Sequence, residues 1–292
     1  LVVMNRFTGE TLWNTDANHG FLHNGIAVGD GFLFCLDKLP PHIEQQFSRR
    51  GKTLEDVNRL VALDIATGRV VWENKEIAFG SFLAYSGERG ILVQSTRPSR
   101  DMVGGETGRR MTAFRGSNGA VVWDKPLEYA TFPIIHGDRL ITEGRIFGLL
   151  DGSVQTRKDP LTGNDVQWTW KRNYGCNYPI ASEHLLTFRS GAAGYFDLEG
   201  MSGTGNFGGF KSGCTINLIA ADGVLNAPDY TRTCSCSYQN QTSLAMIYMP
   251  DADIEMWTFD TVEWDGSQVQ RVGLNFGAPG NRVDDGGTLW LD

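Results

Sequence analysis

The sequence predicts an all-β protein, built as a β-propeller of four-stranded blades. Three observations carry that prediction. A hairpin ending in Gly-x-x-x-Trp recurs along the chain, a second apolar hairpin follows each copy, and helical periodicity is nearly absent.

The clearest Trp hairpin runs from Ala62 to Trp72. Leu60 to Leu63 is an apolar run that suits a strand. Asp64 to Gly68 carries turn chemistry, with Gly68 free to take a positive φ. Arg69 to Trp72 resumes as a β-branched and aromatic strand. Val3 to Trp13 and Ala113 to Trp123 repeat the arrangement, with Gly9 and Gly119 four residues before their tryptophans. A looser copy holds Thr162-Gly163 with Trp168 five residues beyond the glycine.

The second hairpin is an apolar strand, a turn centred on Gly or Asp, and another apolar strand. Ile26 to Phe34, Leu83 to Val93, Pro133 to Thr142, Pro179 to Thr187 and Leu218 to Asn226 are its copies. Two hairpins make four strands. Trp13, Trp72, Trp123 and Trp168 stand 59, 51 and 45 residues apart, which is one blade with variable connections. One polar insertion, Pro41 to Asn58, reads as a helix with a solvated face of His42, Glu44, Arg49, Arg50 and Lys52.

Bulk composition agrees with a globular chain. Hydrophobic residues make up 41% of the 292 positions and charged residues 21%. The 36 glycines suit a chain with many tight turns. No apolar run approaches the ~20 residues that a membrane-spanning helix needs. A net charge of −8 gives no help in binding a nucleic-acid backbone or an anionic membrane. The chain begins within a strand at Leu1, so it reads as a mature segment or as a piece of a longer protein.

The motif Ala-x-Asp-x-x-Thr-Gly-x-x-x-Trp, intact at Ala62, Asp64, Thr67, Gly68 and Trp72, resembles the tryptophan-docking motif of PQQ-type (pyrroloquinoline-quinone-type) propeller repeats. The copy at Ala113 has Arg115 for Asp and Asn118 for Thr, and the copy at Val3 has Asn5 for Asp. The resemblance covers residues 1 to 190. It implies that Trp13, Trp72, Trp123 and Trp168, with Gly68 and Gly119, pack blade against blade. That role is structural, so the motif speaks to fold rather than ligand.

From Tyr174 the pattern changes. We expect PQQ-like blades over 1–173, Cys-rich and Gly-rich degenerate blades of the same propeller over 174–255, and a final blade or the start of an appended β-domain over 256–292. The middle region resembles the C-terminal part of exported PQQ-repeat-like proteins of planctomycete-type bacteria. Cys176, Cys214, Cys234 and Cys236 cluster there, while Cys35 stands alone. Four cysteines in a loop-rich region fit two disulfides, with a thiolate metal site and reduced core thiols as the alternatives. Disulfides would place the protein in the periplasm, on the cell surface or outside the cell.

A quinoprotein dehydrogenase would need an adjacent cysteine pair, calcium ligands and a catalytic Asp. Cys234-Ser235-Cys236 does not supply the pair. No catalytic, metal or cofactor residue is therefore assigned, and PQQ with calcium stays as the alternative. Gly203-Thr-Gly-Asn-Phe-Gly208 fits a dinucleotide fingerprint in letters but has no following helix, so it reads as a loop. His19 and His23, four apart, have no carboxylate at ligand spacing. Arg189, Tyr195, Asn217, Asp229, Tyr230 and Arg232 form the candidate ligand surface, on loops that disulfides would pin. The expected function is a non-catalytic binding or scaffolding module of a larger exported bacterial protein, with a protein or carbohydrate partner and no nucleic acid. The alternative is a quinoprotein-type oxidoreductase or a carbohydrate-active enzyme using the propeller face.

Overall fold

The apolar hairpins at 26–34 and 83–93 each close with the Trp hairpin after them into one antiparallel sheet in the computed structural model. The structure describes residues 1–52, 58–98, 108–159, 161–173, 175, 177–199, 203–208, 210, 218–228, 243–248, 268, 271–274, 282–283, 286 and 288–291. By its internal contacts the chain divides into Leu1–Ile219 with Ala227–Ser243, and Ala220–Asn226 with Leu244–Asp292.

The first unit opens on a two-stranded sheet, β1 (Val2–Met4) and β2 (Thr11–Asn14). Blade A follows as β3 (Phe21–Gly29), β4 (Phe32–Asp37), β5 (Arg59–Asp64) and β6 (Val70–Asn74), paired in that order. Helix α1 (Pro41–Arg49) lies in the β4–β5 connection, inside the polar insertion. Blade B is β7 (Phe82–Ser86), β8 (Ile91–Ser95), β9 (Met111–Arg115) and β10 (Val121–Lys125).

Blade C is irregular. β11 (Ile134–His136), β12 (Arg139–Thr142) and β13 (Arg145–Gly148) form three strands, and Val154 bridges Phe147 as a minimal fourth. A separate hairpin then follows, β14 (Thr156–Lys158) with β15 (Asp165–Gln167). Blade D is β16 (Ile180–Ala181), β17 (Leu185–Ser190), β18 (Ala192–Asp197) and β19 (Thr204–Gly208). The Gly203–Gly208 stretch, expected as a loop, is thus mostly strand: β19 pairs with β18, and Gly205 lets the Tyr195 ring lie against its backbone.

Largely in the second unit is a sheet of β20 (Ile219–Ala221), β21 (Val224–Ala227) and β22 (Leu244–Ile247), with the Asp222-Gly223 turn at positive φ. Another sheet joins β23 (Val272–Leu274), β24 (Arg282–Val283) and β25 (Leu289–Leu291). There β23 pairs with β25 in parallel, a pairing that none of the four blades uses.

Packing follows from the period of two along a strand. In β4, Leu33 and Cys35 point to one side and join Val61, Leu63 and Trp13. Phe34 and Leu36 point to the other and join Leu60, Ala62, Leu92, Phe114 and Trp72. A strand between two blades is buried on both faces, so it reads as an unbroken apolar run. The next interface gathers Ile91, Val93, Met111, Trp123, Leu140 and Phe147. The next gathers Ile141, Ile146, Trp168, Trp170, Leu186 and Phe188. Each large side chain so buried contributes about 1.5–3 kcal/mol.

Candidate functional site

Antiparallel connectivity gives the blades two unlike edges. One carries the short turns within hairpins. The other carries the longer connections, including α1.

The turn edge is a fastening. Trp13 donates its indole N–H to the Ile65 carbonyl at 2.9 Å, Trp72 to Gly116 at 2.8 Å, and Trp123 to Leu149 at 2.9 Å. The same three acceptor residues donate their own N–H to an inner turn, at Gly31, Gly90 and Asp138. A Cβ on Gly68 would lie 2.7 Å from the Trp13 ring, one on Gly119 2.6 Å from Trp72, and one on Gly152 3.0 Å from Trp123. Within the turn, Thr67 donates from N and Oγ1 to Asp64 Oδ1 at 2.8 and 2.7 Å. These bonds from Thr67 hold the Asp64 carboxyl below the usual range. The inner turns are tied as well. Tyr85 donates to Asp30 at 2.8 Å, Arg89 grips Asp138 through two bonds of 2.6 and 2.9 Å, and His136 Nε2 lies 2.9 Å from the Glu183 carbonyl.

The fourth expected copy is placed differently. The turn that receives Trp123 is Leu149–Gly152, whose Gly148 and Asp151 stand where Asp64 and Thr67 do. The Thr162-Gly163 turn belongs to the separate β14–β15 hairpin, and nothing lies within 4 Å of a Cβ on Gly163. Trp168 is buried at 6% exposure under the Arg139 guanidinium, 4.7 Å from its ring centre. Its Nε1 has no hydrogen-bond partner among the described residues.

The loop edge carries the polar chemistry. Asp37 is fully buried and accepts N–H groups from Asn18, His19 and Gly20 at 2.8–3.1 Å, and Nε of Arg59 at 3.0 Å. Burial opposes its ionisation, but these four donors outweigh it and lower its pKa. Further round, Arg172 Nε donates to Glu143 at 3.0 Å and Nη1 to the Asn177 carbonyl. Asn177 Oδ1 accepts the Arg189 N–H at 2.9 Å.

Between these networks lies an aromatic row. Phe82, Phe132 and Tyr178 each stand four residues before the turn-edge end of the innermost strand, at Ser86, His136 and Ser182. They are therefore equivalent positions of blades B, C and D. Phe82 and Phe132 stack with centroids 4.5 Å apart, and Phe132 meets Tyr178 at 4.7 Å. Arg97 Nη2 donates to the Tyr178 hydroxyl at 2.9 Å, with its guanidinium 5.3 Å from the Tyr178 ring centre and 5.9 Å from that of Phe132. All four side chains are half-buried. In blade A the position is Gly25, where a Cβ would meet Leu36 at 2.8 Å.

Of the residues expected as a ligand surface, Arg189 and Tyr195 are among the described residues. Arg189 is 3% exposed, with its Nε donating to the Gly191 carbonyl at 3.3 Å. Tyr195 lies on β18, 4.7 Å from the Phe207 ring. Asn217, Asp229, Tyr230 and Arg232 lie outside the described residues, as do Cys176, Cys214, Cys234 and Cys236. Cys35 is a buried free thiol. The aromatic row was missed because turns of unequal length hide its register, Gly87–Gly90 in blade B against Gly137-Asp138 in blade C.

No three His, Cys, Asp or Glu among the described residues converge on a metal site. The indoles of Trp13, Trp72 and Trp123 are spent on docking, and those of Trp168 and Trp170 are buried in the blade interface. No helix among them is long and apolar enough to cross a membrane.

A family model described as outer membrane protein assembly factor BamB matches residues 1–146. Among solved structures, BamB from Moraxella catarrhalis is similar at 15% identity and a TM-score of 0.49, over 75% of this chain and 59% of that one. A europium-containing methanol dehydrogenase is similar at 13% identity and a TM-score of 0.32, over 49% of this chain and 26% of that one. No curated protein matches the sequence.

Proposed function

The chain belongs to the PQQ-repeat β-propeller family whose matching model is described as outer membrane protein assembly factor BamB, and from that premise we propose that it is a non-catalytic binding or scaffolding module. It works outside the cytoplasm as part of a larger exported bacterial protein. One observation carries the reading. The loop edge presents half-buried aromatic and arginine side chains next to the strand ends, the composition that protein interfaces concentrate at their centres. Trp13, Trp72 and Trp123 fasten blades, and Trp168 and Trp170 fill a blade interface.

The test is a titration of the purified chain with PQQ and calcium, followed by Trp fluorescence. The expected result is no saturable change. Stoichiometric, saturable quenching would overturn the proposal in favour of a quinoprotein.

A further inference from the structure

We infer that Asn118-Gly119, in the turn that fastens blade A to blade B, is a site of spontaneous deamidation, and that the docked Trp72 ring holds the reaction back.

The sequence singles out this pair. The intact docking turn carries Thr67-Gly68, and a threonine has no side-chain amide to lose. In blade B, Asn118 takes the Thr67 position and Arg115 the Asp64 position. Glycine after asparagine leaves the attacking main-chain nitrogen without a side chain to shield it. Asn118 is exposed, so water reaches its amide.

The reaction needs water alone. The Gly119 main-chain nitrogen gives up its proton and bonds to Asn118 Cγ, and the side-chain nitrogen leaves as ammonia. The cyclic imide so formed takes up water at either carbonyl. Opening at Cγ leaves aspartate. Opening at the main-chain carbonyl leaves isoaspartate, whose backbone runs through the former side chain and is longer by a methylene.

Docking opposes the first step. Gly119 N donates to Arg115 O at 2.8 Å, and Asn118 Oδ1 accepts the Ala120 N–H at 3.0 Å. Both reacting groups are engaged, so attack requires the turn to open. Trp72 holds it shut at two points. Its indole N–H bonds Gly116 O at 2.8 Å, and its ring lies 2.6 Å from where a Cβ on Gly119 would stand. The two products then differ in consequence. Aspartate keeps the backbone length and faces Arg115 as Thr67 faces Asp64 in sequence. Isoaspartate lengthens the path between Arg115 O and Gly119 N, which breaks the fit of the closing bond and loosens the A–B fastening.

The test follows the full chain at pH 8, native and in urea. Mass spectrometry reads the peptides that hold Asn118 and Asn24 for the mass gain of an amide turned acid. Asn24-Gly25, on β3, is the second Asn-Gly pair of the sequence and reports global unfolding. In native protein Asn118 should react at least about tenfold more slowly than in urea, because only the opened turn reacts. Trp72→Phe removes the indole donor and should speed Asn118 at least about threefold, the local stability of one hydrogen bond, while leaving Asn24 unchanged. Should Trp72→Phe fail to fold, the ratio of native to denatured rates in the unaltered chain decides. No reaction at Asn118 in urea, equal rates in native and denatured protein, an unchanged rate in Trp72→Phe, or equal acceleration at Asn24 would each overturn the inference. Aged protein carrying isoaspartate should unfold at lower urea than Asn118→Asp. Coincident midpoints would overturn the loosening.

Discussion

Trp13 donates its indole N–H to the carbonyl of Ile65, 52 residues further on, and its ring lies flat beneath Gly68. The bond and the contact are one device. Gly68 has a φ of 71°, and the missing side chain is what lets the ring approach. Gly68→Ala should therefore be penalised twice, by left-handed backbone and by overlap with Trp13. The sum is at least about 2 kcal/mol. Gly163 has the same φ of 71° but open space around it, so Gly163→Ala should cost only about 1 kcal/mol. Urea midpoints of the two variants check the contrast. Equal losses would mean that ring contact contributes nothing.

Legibility followed the same logic. The docking tryptophans could be read because a turn and an aromatic at fixed offset are local in sequence. The Leu149–Gly152 turn escaped because Gly148 and Asp151 replace the Asp and Thr that mark its equivalents, although the backbone makes the same bonds. Thr162-Gly163 has the letters without the position, since an inserted hairpin carries it away from the blade interface. Arg189, expected on a ligand surface of pinned loops, lies on β17 and is 3% exposed. Nothing local encodes that placement.

Asp37 should shape the acid limb of stability. Its folded pKa lies below the ordinary 3.8, so its contribution is complete above pH 3.8 and is lost as pH falls through the folded value. Asp37→Asn should cost about 1.5–3 kcal/mol at neutral pH, because three backbone N–H groups and Arg59 lose a charged acceptor. The variant should also show a shallower decline of stability below pH 4. Asp64, Asp124, Asp151 and Asp159, all shifted the same way, keep some slope in place. Denaturant melts from pH 2.5 to 7 decide it. An unchanged acid slope would remove Asp37 as a contributor.

Cys35 should be chemically silent in the folded protein. Burial pushes its thiol up to about 12, so almost no thiolate exists at pH 8. Iodoacetamide labelling at pH 8, read by mass spectrometry of the Cys35 peptide, should be at least about a hundredfold slower in native than in denatured protein. The same denatured sample, kept non-reduced, counts the thiols. One free thiol fits disulfides among Cys176, Cys214, Cys234 and Cys236, and five refute them.

Trp123 and Trp168 offer the sharpest comparison, because one indole N–H is bonded and the other, among the described residues, is not. Both are nearly buried, at 7% and 6% exposure, and both sit in blade interfaces. Trp123 Nε1 bonds Leu149 O, whereas Trp168 Nε1 has no partner among the described residues. The position equivalent to Leu149 in blade D is Leu198, whose N–H reaches the His184 carbonyl as Leu149 reaches Asp138. Replacing Trp by Phe removes ring area in both cases. At Trp123 it also strands a buried carbonyl, adding about 1–3 kcal/mol. At Trp168 it removes a buried donor that lacks an acceptor, which offsets part of the lost packing. Trp123→Phe should thus be the more destabilising by at least about 1 kcal/mol in urea melts. Equal losses would mean that Trp168 is bonded after all, and that the C–D interface is fastened like the others.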